Sequence, residues 1–190
     1  MSTHPIATRI LLFSALSLAV SSCSMFKSAE SSERYPAAPP STYSSKAPAT
    51  NNSGTKSHMR FRYSIVDEAE RYLKTPYKYA GRSPQTGFDC SGFTQYVLQQ
   101  KDITISPASY LQSQDGIEIP LDQVKPGDLI FFGENNKVSH VAMVYERSTQ
   151  GIICIHSTTS KGVMKDNIST SSYWKPKILF ARDVISSKLN

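Results

Sequence analysis

The chain has 190 residues, with 21 Lys and Arg against 15 Asp and Glu and a formal net charge of +6. This length provides for one ordinary domain with appendages. Most of the positive charge lies outside the part expected to fold, since residues 61–190 hold fifteen basic and thirteen acidic residues. No block of Lys and Arg interleaved with aromatic residues is present, which argues against a nucleic acid as the partner.

The N-terminus predicts an export signal. Residues 10–20, ILLFSALSLAV, form an apolar run that follows Arg9. A helix that spans a bilayer needs about 20 apolar residues, so this run is too short to span. A basic start, a short apolar core and then small residues are typical of a signal peptide, here residues 1–22. The alternative, a buried helix of the fold, is disfavoured because no helical pattern continues after the run.

Cys23 stands directly after this run, in the sequence Val20-Ser21-Ser22-Cys23. Small residues that end in a cysteine at this place resemble the lipobox of bacterial lipoproteins. The resemblance implies cleavage before Cys23, a lipid on its sulfur and hence a membrane anchor. Ser24, rather than an aspartate, follows the cysteine, which in two-membrane bacteria implies sorting to the outer membrane, facing the periplasm.

Residues 23–60 are expected to be a disordered, lipid-anchored linker. No Ile, Leu or Val occurs between residues 24 and 63, where Ser, Ala, Pro, Thr and Asn dominate. Such a segment cannot bury enough apolar surface to offset the entropy that ordering would cost. We therefore place the folded domain at residues 61–190.

The first part of this domain predicts two helices and a loop. Ser64 and Asp67 resemble a capping box, apolar residues then recur at helical spacing, and Pro76 should end the helix. Residues 80–87 have the turn composition of an irregular loop. Asp89 is the expected N-cap of the second helix. The apolar face of that helix would consist of Phe93, Tyr96 and Val97.

The second part of the domain predicts strands. Residues 101–127 are punctuated by Pro and Gly and are predicted to be mostly loop. The apolar pattern then changes to that of strands. The four predicted strands are residues 128–132, 140–145, 151–156 and 177–184. Helices followed by a run of short antiparallel strands indicate an α+β fold.

One cysteine of the domain has the surroundings of a nucleophile. In the stretch GFDCSGF, Cys90 occupies the first turn of the second predicted helix. The free N–H groups and the dipole of a helix N-terminus favour an anion, so we expect the pKa of this thiol to be lowered toward a reactive thiolate. Gly92 leaves room for another backbone, such as that of a substrate, to approach. The alternative is a structural residue, because free cysteine is among the most buried residue types.

The domain has only two histidines, and each stands at the edge of an apolar strand. His140 opens one predicted strand and His156 closes the next. If both strands belong to one sheet, a helix docked on it would bring Cys90, His140 and His156 together as nucleophile, base and base-orienting group. A single histidine at a strand edge is more often an ordinary hydrogen-bonded residue, but two of them with a helix-start cysteine favour catalysis.

Four stretches in order, FDCSGF, PGDLIFF, SHVAMVY and IHSTTSKGV, resemble the NlpC-type family of cell-wall cysteine peptidases, especially its small lipoprotein murein endopeptidases. The resemblance covers nearly all of residues 61–185. It implies a papain-like α+β fold, with N-terminal helices packed on an antiparallel sheet. It also implies a peptidase that cuts the peptide stems or crosslinks of peptidoglycan without a metal or another cofactor. We expect this enzyme to be a monomer.

The same resemblance assigns roles to individual residues. It makes Cys90 the nucleophile and His140 the general base. His156 becomes the polar residue that orients the base by accepting a hydrogen bond from its other ring nitrogen. Tyr77 matches a tyrosine that faces the reaction centre and, with the backbone N–H of Cys90, is expected to hold the oxyanion. Ser91 matches a residue that lines the substrate groove.

Three alternatives remain open at this point. Cys90, His140, Cys154 and His156 are ligand types that zinc accepts, although no closely spaced pair is present. A disulfide between Cys90 and Cys154, which export permits, would make the domain a non-catalytic wall-binding module. The domain could also transfer an acyl group or act as an amidase. The interpretation we favour has Cys154 buried and structural. Trp174 would wall the groove or, more commonly for an aromatic residue, lie in the core.

Overall fold

The computed structural model describes residues 53–189. Its helices are Ser53–Glu70 (α1), Cys90–Gln99 (α2) and Ser109–Gln112 (α3). Its strands are Arg82–Ser83 (β1), Gly87–Phe88 (β2), Ile117–Ile119 (β3), Leu129–Glu134 (β4), Lys137–Ser148 (β5), Gly151–Thr158 (β6), Gly162–Asn167 (β7) and Ile178–Asp183 (β8). Within these residues, no helix combines the length and the apolar character needed to cross a membrane. The predicted signal peptide, Cys23 and the linker up to residue 52 lie outside the described residues.

Six strands form one antiparallel sheet in the spatial order β3-β8-β4-β5-β6-β7. The strands β4, β5, β6 and β8 correspond to the four predicted ones, and the α+β fold class is confirmed. β7 was not predicted, because its sequence GVMKDN has few apolar residues. β7 lies at the edge of the sheet and pairs only with β6, so its pattern is not that of a buried strand. The predicted loop at residues 101–127 contains the short α3 and β3.

The two faces of the sheet carry separate apolar clusters. Helices α1 and α2 cover one face, whose strand residues include Phe131, Val141, Met143 and Ile155. The opposite face carries a second cluster that includes Phe132, Ala142, Val144 and Cys154. Because neighbouring residues of a strand point to opposite faces, β4, β5 and β6 are apolar along nearly their whole length. The central strands are therefore buried on both sides.

The start of α1 differs from the prediction. α1 begins at Ser53, so the expected disordered linker is wrong for residues 53–60, which are helical. The capping box is also wrong, because Ser64 lies inside the helix and its hydroxyl donates to the carbonyl of Phe61 (2.8 Å). The physical reason is cooperativity. Once Ile65 and its neighbours are packed, extending the helix toward its N-terminus adds a hydrogen bond per residue without a new nucleus.

A buried cluster of charges joins α1 to two strands. Arg62 is 2% exposed, and its guanidinium donates to Asp128, just before β4, and to Asp183, at the end of β8, each at 2.6 Å. Burial raises the pKa of Asp128 to about 6, even though the Arg62 charge acts in the opposite direction. Burial also acts to raise the pKa of Asp183, but hydrogen bonds from Ser186 and Ile185, with the Arg62 charge, lower it to about 2.

Candidate active site

Cys90 is the first residue of α2, and Asp89 caps this helix as predicted. Asp89 Oδ1 accepts hydrogen bonds from the backbone N–H of Gly92 (2.6 Å) and from the hydroxyl of Ser91 (3.0 Å). The backbone N–H of Asp89 donates to the carbonyl of Gly81 (3.0 Å). A Cβ atom on Gly92 would collide with that same carbonyl. The backbone for which Gly92 leaves room is therefore the chain's own, and its approach fixes the start of the helix.

His140 and His156 are in direct contact. His140 Nε2 lies 3.0 Å from His156 Nδ1. His156 is completely buried, whereas His140 lines a cavity. Since Nε2 of His140 is engaged with His156, Nδ1 is the ring nitrogen left to exchange a proton with a thiol.

Cys90 and His140 belong to opposite faces of the sheet but line the same cavity. His140 is on the same face of β5 as Ala142 and Val144. This face is opposite the one that α2 covers. The backbone N–H of Val141, the next residue after His140, lies close enough to the sulfur of Cys90 to act against the rise of the thiol pKa. Cys90 and His140 also line the same cavity. The structure thus brings the three predicted residues together, although not by docking the helix on the histidine-bearing face.

Burial determines how the three groups titrate. It raises the pKa of the Cys90 thiol, and the backbone N–H groups of Val141, Ser91 and Cys90 offset only part of this effect. It lowers the pKa of His140 to about 3, with the His156 ring adding to the effect, and that of His156 to about 4. The expected lowering of the thiol pKa is therefore wrong, because loss of solvent outweighs the helix N-terminus. Burial therefore disfavours the charged form of all three groups.

The cavity next to Cys90 has a volume of about 850 Å³. Tyr77 lines it, and burial together with the neighbouring Cys90 raises the pKa of the Tyr77 phenol. A backbone bridge between Tyr77 and Phe88 fixes this position. Ser91 is only 7% exposed and is not among the residues that line the cavity. Its hydroxyl is used in the cap of α2, so the structure does not place it in the groove as predicted.

Trp174 covers the histidine pair. Its ring centroid lies 4.5 Å from that of His140, with the two planes 26° apart, and 5.0 Å from that of His156. The topology explains this position. β7 ends at one edge of the sheet while β8 pairs with β4 and β3, so the connection between them must cross β6, β5 and β4. Trp174 lies in that connection, which passes over the face that carries the histidines. It also lines the cavity, as one of the two readings of the sequence expected.

Ser157 is a site residue that the sequence analysis did not find. Its buried hydroxyl donates to the carbonyl of Phe88 (2.7 Å). The bond ties the residue after His156 to the residue two positions before Cys90, and so holds the two halves of the site in register. No local signal reveals it, because a serine in a strand predicts no particular partner across 69 positions.

The structure also bears on the alternatives. Cys90 and Cys154 are both free, and Cys154 is completely buried in the second apolar cluster, on the sheet face opposite α2. The disulfide alternative is therefore wrong, and the prediction of a buried Cys154 is confirmed. No group of three or more His, Cys, Asp or Glu residues that could hold a metal ion occurs between residues 53 and 189.

Residues 74–183, more than half of the chain, match the NlpC/P60 family. The chain belongs to the NlpC/P60 family. This NlpC/P60 protein is 37% identical over 123 residues to the gamma-DL-glutamyl hydrolase of Bacillus subtilis (strain 168), covering 63% of this chain and 29% of that protein. It is 33% identical over 123 residues to the probable endopeptidase NlpC of Escherichia coli (strain K12), covering 63% of this chain and 76% of that protein.

One solved structure is similar to this domain in both fold and sequence. The crystal structure of the NlpC/p60 domain of the peptidoglycan hydrolase SagA matches with a TM-score of 0.53 at 34% identity, covering 64% of this chain and 97% of that one. By contrast, the chain spans less than a third of the length of the Bacillus hydrolase. The similarity to the hydrolases therefore concerns the folded domain and not their whole length.

Proposed function

We propose that this NlpC/P60 protein is a cysteine peptidase that hydrolyses amide bonds in the peptide stems or crosslinks of peptidoglycan. The single observation that carries the proposal is that Cys90 and His140 line one cavity, while the buried His156 contacts His140 from behind. A nucleophile, a base and a group that orients the base are what thiol acyl transfer requires. Relatives named as endopeptidases and as a peptidoglycan hydrolase support the substrate class.

Because burial disfavours both the thiolate and the imidazolium, attack and proton transfer occur together in this proposal. The Cys90 sulfur bonds to the scissile carbonyl carbon while its proton passes to Nδ1 of His140. His140 then gives this proton to the departing amine as the C–N bond breaks, which leaves a thioester. In the second half of the reaction, the thioester is hydrolysed. His140 takes a proton from water, and the hydroxide attacks the thioester carbonyl. The C–S bond breaks, the carboxylic acid leaves and the proton returns to sulfur.

The negative oxygen of each tetrahedral intermediate needs donors near the sulfur. The backbone N–H of Cys90 and the phenol of Tyr77 supply them in this proposal, because Tyr77 lines the cavity beside Cys90. Removing one such donor costs about 2.7–4 kcal/mol of transition-state stabilisation. His156 orients His140 through the bond at 3.0 Å.

The location of the enzyme is part of the proposal. A signal peptide at residues 1–22 and a lipidated Cys23 would anchor the chain, with residues 24–52 as tether, to the outer membrane facing the periplasm. The sequence around Cys23 supports this. Expression with a radiolabelled fatty acid should label the wild type and leave Cys23→Ala unlabelled and outside the membrane fraction. A membrane-bound, unlabelled wild type would refute the anchor.

The catalytic proposal is tested by incubating the full-length chain, reduced and in detergent, with purified peptidoglycan and identifying the fragments by mass spectrometry. We expect fragments from the wild type and from Cys154→Ser, and none from Cys90→Ala. Activity should survive a chelator and be lost on alkylation. New amino and carboxyl ends in equal number indicate hydrolysis, whereas a new amide would indicate acyl transfer. A folded, monomeric wild type that releases nothing would refute the proposal.

A further inference from the structure

His156 has a buried nitrogen that no described residue satisfies. Its Nδ1 contacts Nε2 of His140, but its Nε2 is buried and has no hydrogen-bond partner in the part of the chain that the structure describes. The side chain of His156 is 0% exposed. A buried donor without an acceptor costs about 1–3 kcal/mol, so such an atom calls for a partner.

The proposed chemistry fixes which nitrogen carries the proton. Nδ1 of His140 must be unprotonated to accept the thiol proton, so Nε2 of His140 carries its hydrogen. That hydrogen is donated to His156, whose Nδ1 must therefore be the acceptor. A neutral His156 then carries its own hydrogen on Nε2. The unsatisfied atom is thus an N–H donor, and it needs an acceptor.

Asp166 is placed to provide one. In the pairing of β6 with β7, Cys154 lies opposite Asp166 and His156 lies opposite Met164. Residues two apart share a face, so Asp166 is the diagonal neighbour of His156, at a typical spacing of about 7–8 Å. Asp166 also lines the cavity, and its charge favours the protonated form of His156. Among the described residues no direct hydrogen bond joins Asp166 to His156, and a bridging water can link two polar groups that are not in direct contact.

Other carboxylates do not compete for this role. Glu134 also lines the cavity, but it is paired with Lys177. Among residues 53–189, no lysine or arginine forms an ion pair with Asp166, and no hydrogen bond uses its carboxylate. The free acceptor and the orphan donor are therefore on the same face of two adjacent strands.

We propose that Asp166 is a positioning residue that accepts the Nε2–H of His156 through one bridging water and so extends the series Cys90, His140 and His156 by a fourth group. The proposal rests on the catalytic roles given above. Without Asp166, the hydrogen of His156 can move to Nδ1, which would then donate to Nε2 of His140. His140 would in turn carry its hydrogen on Nδ1 and could not accept the thiol proton. Asp166 also adds a negative charge near the pair while His140 is an imidazolium.

The test compares Asp166→Asn and Asp166→Ala with the wild type and with Glu134→Gln, which removes another carboxylate of the cavity and should leave the tautomer of His156 unchanged. In the full-length chain at neutral pH, ¹⁵N NMR of the histidine rings reports the tautomer without any need for activity. We expect His156 in the Nε2–H form in the wild type and in Glu134→Gln, and a mixture or the Nδ1–H form in both Asp166 variants. Assignment comes from the loss of the signal in His156→Asn.

Kinetics on the peptidoglycan substrate provide the second readout. We expect kcat of both Asp166 variants to fall by about tenfold or more with KM little changed, a part of the ~10²–10⁴-fold that acid–base catalysis contributes. An active wild type whose Asp166 variants match it in tautomer and kcat would overturn this inference and leave the proposed function standing. A wild type that cleaves nothing would refute the proposed function, while the tautomers would still decide the Asp166–His156 contact.

Discussion

The indole of Trp174 lies almost flat on the imidazole of His140, with ring centroids 4.5 Å apart and planes 26° apart. The ring of Phe132 packs against the same two rings, with its centroid 5.8 Å from that of His140 and 5.2 Å from that of Trp174. The base is therefore held between aromatic surfaces on one side and the cavity on the other. This cover contributes to the burial that lowers the pKa of His140 to about 3.

Replacing Trp174 by alanine should change the pH dependence of catalysis. Opening the cover lets water reach His140, so its pKa should rise toward the ordinary value of about 6.5. A base must be unprotonated to act, so the acid limb of the kcat/KM profile should move to higher pH in Trp174→Ala. Trp174→Phe, which keeps an aromatic face, should stay near the wild type. Tyr173→Ala, at an exposed neighbour that also lines the cavity, is the matched control. Identical acid limbs in Trp174→Ala and the wild type would contradict the role of the cover.

The histidine pair should make the free energy of unfolding depend on pH. Both pKa values are lowered in the folded state, to about 3 and about 4, so between pH 4 and 6.5 the unfolded chain binds more protons than the folded one. The contribution of the two histidines to the free energy of unfolding therefore has its full value above pH 6.5. It falls as the pH drops, by about 1.4 kcal/mol per pH unit for each proton. Asp128 acts in the opposite direction, because its raised pKa of about 6 makes the folded state take up a proton below that pH.

Urea unfolding at pH 5, 6 and 7 measures this dependence. We expect the wild type to be less stable at pH 5 than at pH 7, and His156→Asn to show a shallower slope because it lacks one of the two protonation sites. Asp183 does not interfere, because its pKa of about 2 places its titration below this range. Equal slopes for the two chains would show that His156 titrates alike in the folded and unfolded states.

Arg62 should be far more important for stability than the exposed arginine that directly follows the same helix. Arg62→Ala leaves the carboxylates of Asp128 and Asp183 buried without their shared cation, and breaking such a buried pair costs about 3–5 kcal/mol. The matched control is Arg71→Ala, whose side chain is 65% exposed and pairs with Glu68 at 3.7 Å. Such an exposed pair contributes about 0–1 kcal/mol. Comparable urea midpoints for the two variants would refute the structural role of the Arg62 cluster.

What could be predicted from the sequence depended on how local the signal was. The Asp89 cap and the position of Cys90 are each visible within a few residues, and the structure contains both. The prediction that His140 and His156 stand at strand edges was wrong, because they lie inside Lys137–Ser148 (β5) and Gly151–Thr158 (β6). The direction of the Cys90 pKa was wrong because the burial of Cys90 depends on how α2 packs against the sheet, which no local pattern reveals. The pairing of Asp166 next to His156 likewise depends on the register of two strands.

The conformation of the first residues of α1 also depends on residues outside the segment itself. Residues 53–60 contain no Ile, Leu or Val, and their composition alone is that of a linker. They are helical because they continue a helix whose later residues, Arg62 and Ile65, are buried against the sheet. The composition of residues 53–60 is that of a linker, but the buried later part of the same helix determines their conformation.

Gly92→Ala should lower both stability and activity, whereas the same change at Gly54 should not. A Cβ at position 92 would collide with the carbonyl of Gly81, which accepts the N–H of Asp89, so the cap of α2 and Cys90 must shift. Overpacking of this kind costs about 1–3 kcal/mol, and a displaced sulfur should reduce kcat more than it changes KM. Gly54 lies in α1 with nothing within 4 Å of its Cβ position, so alanine there should be neutral or add up to about 1 kcal/mol. Urea unfolding and steady-state kinetics on both variants measure the two effects. A stable, fully active Gly92→Ala would mean that the close approach of Gly81 is not what positions the nucleophile.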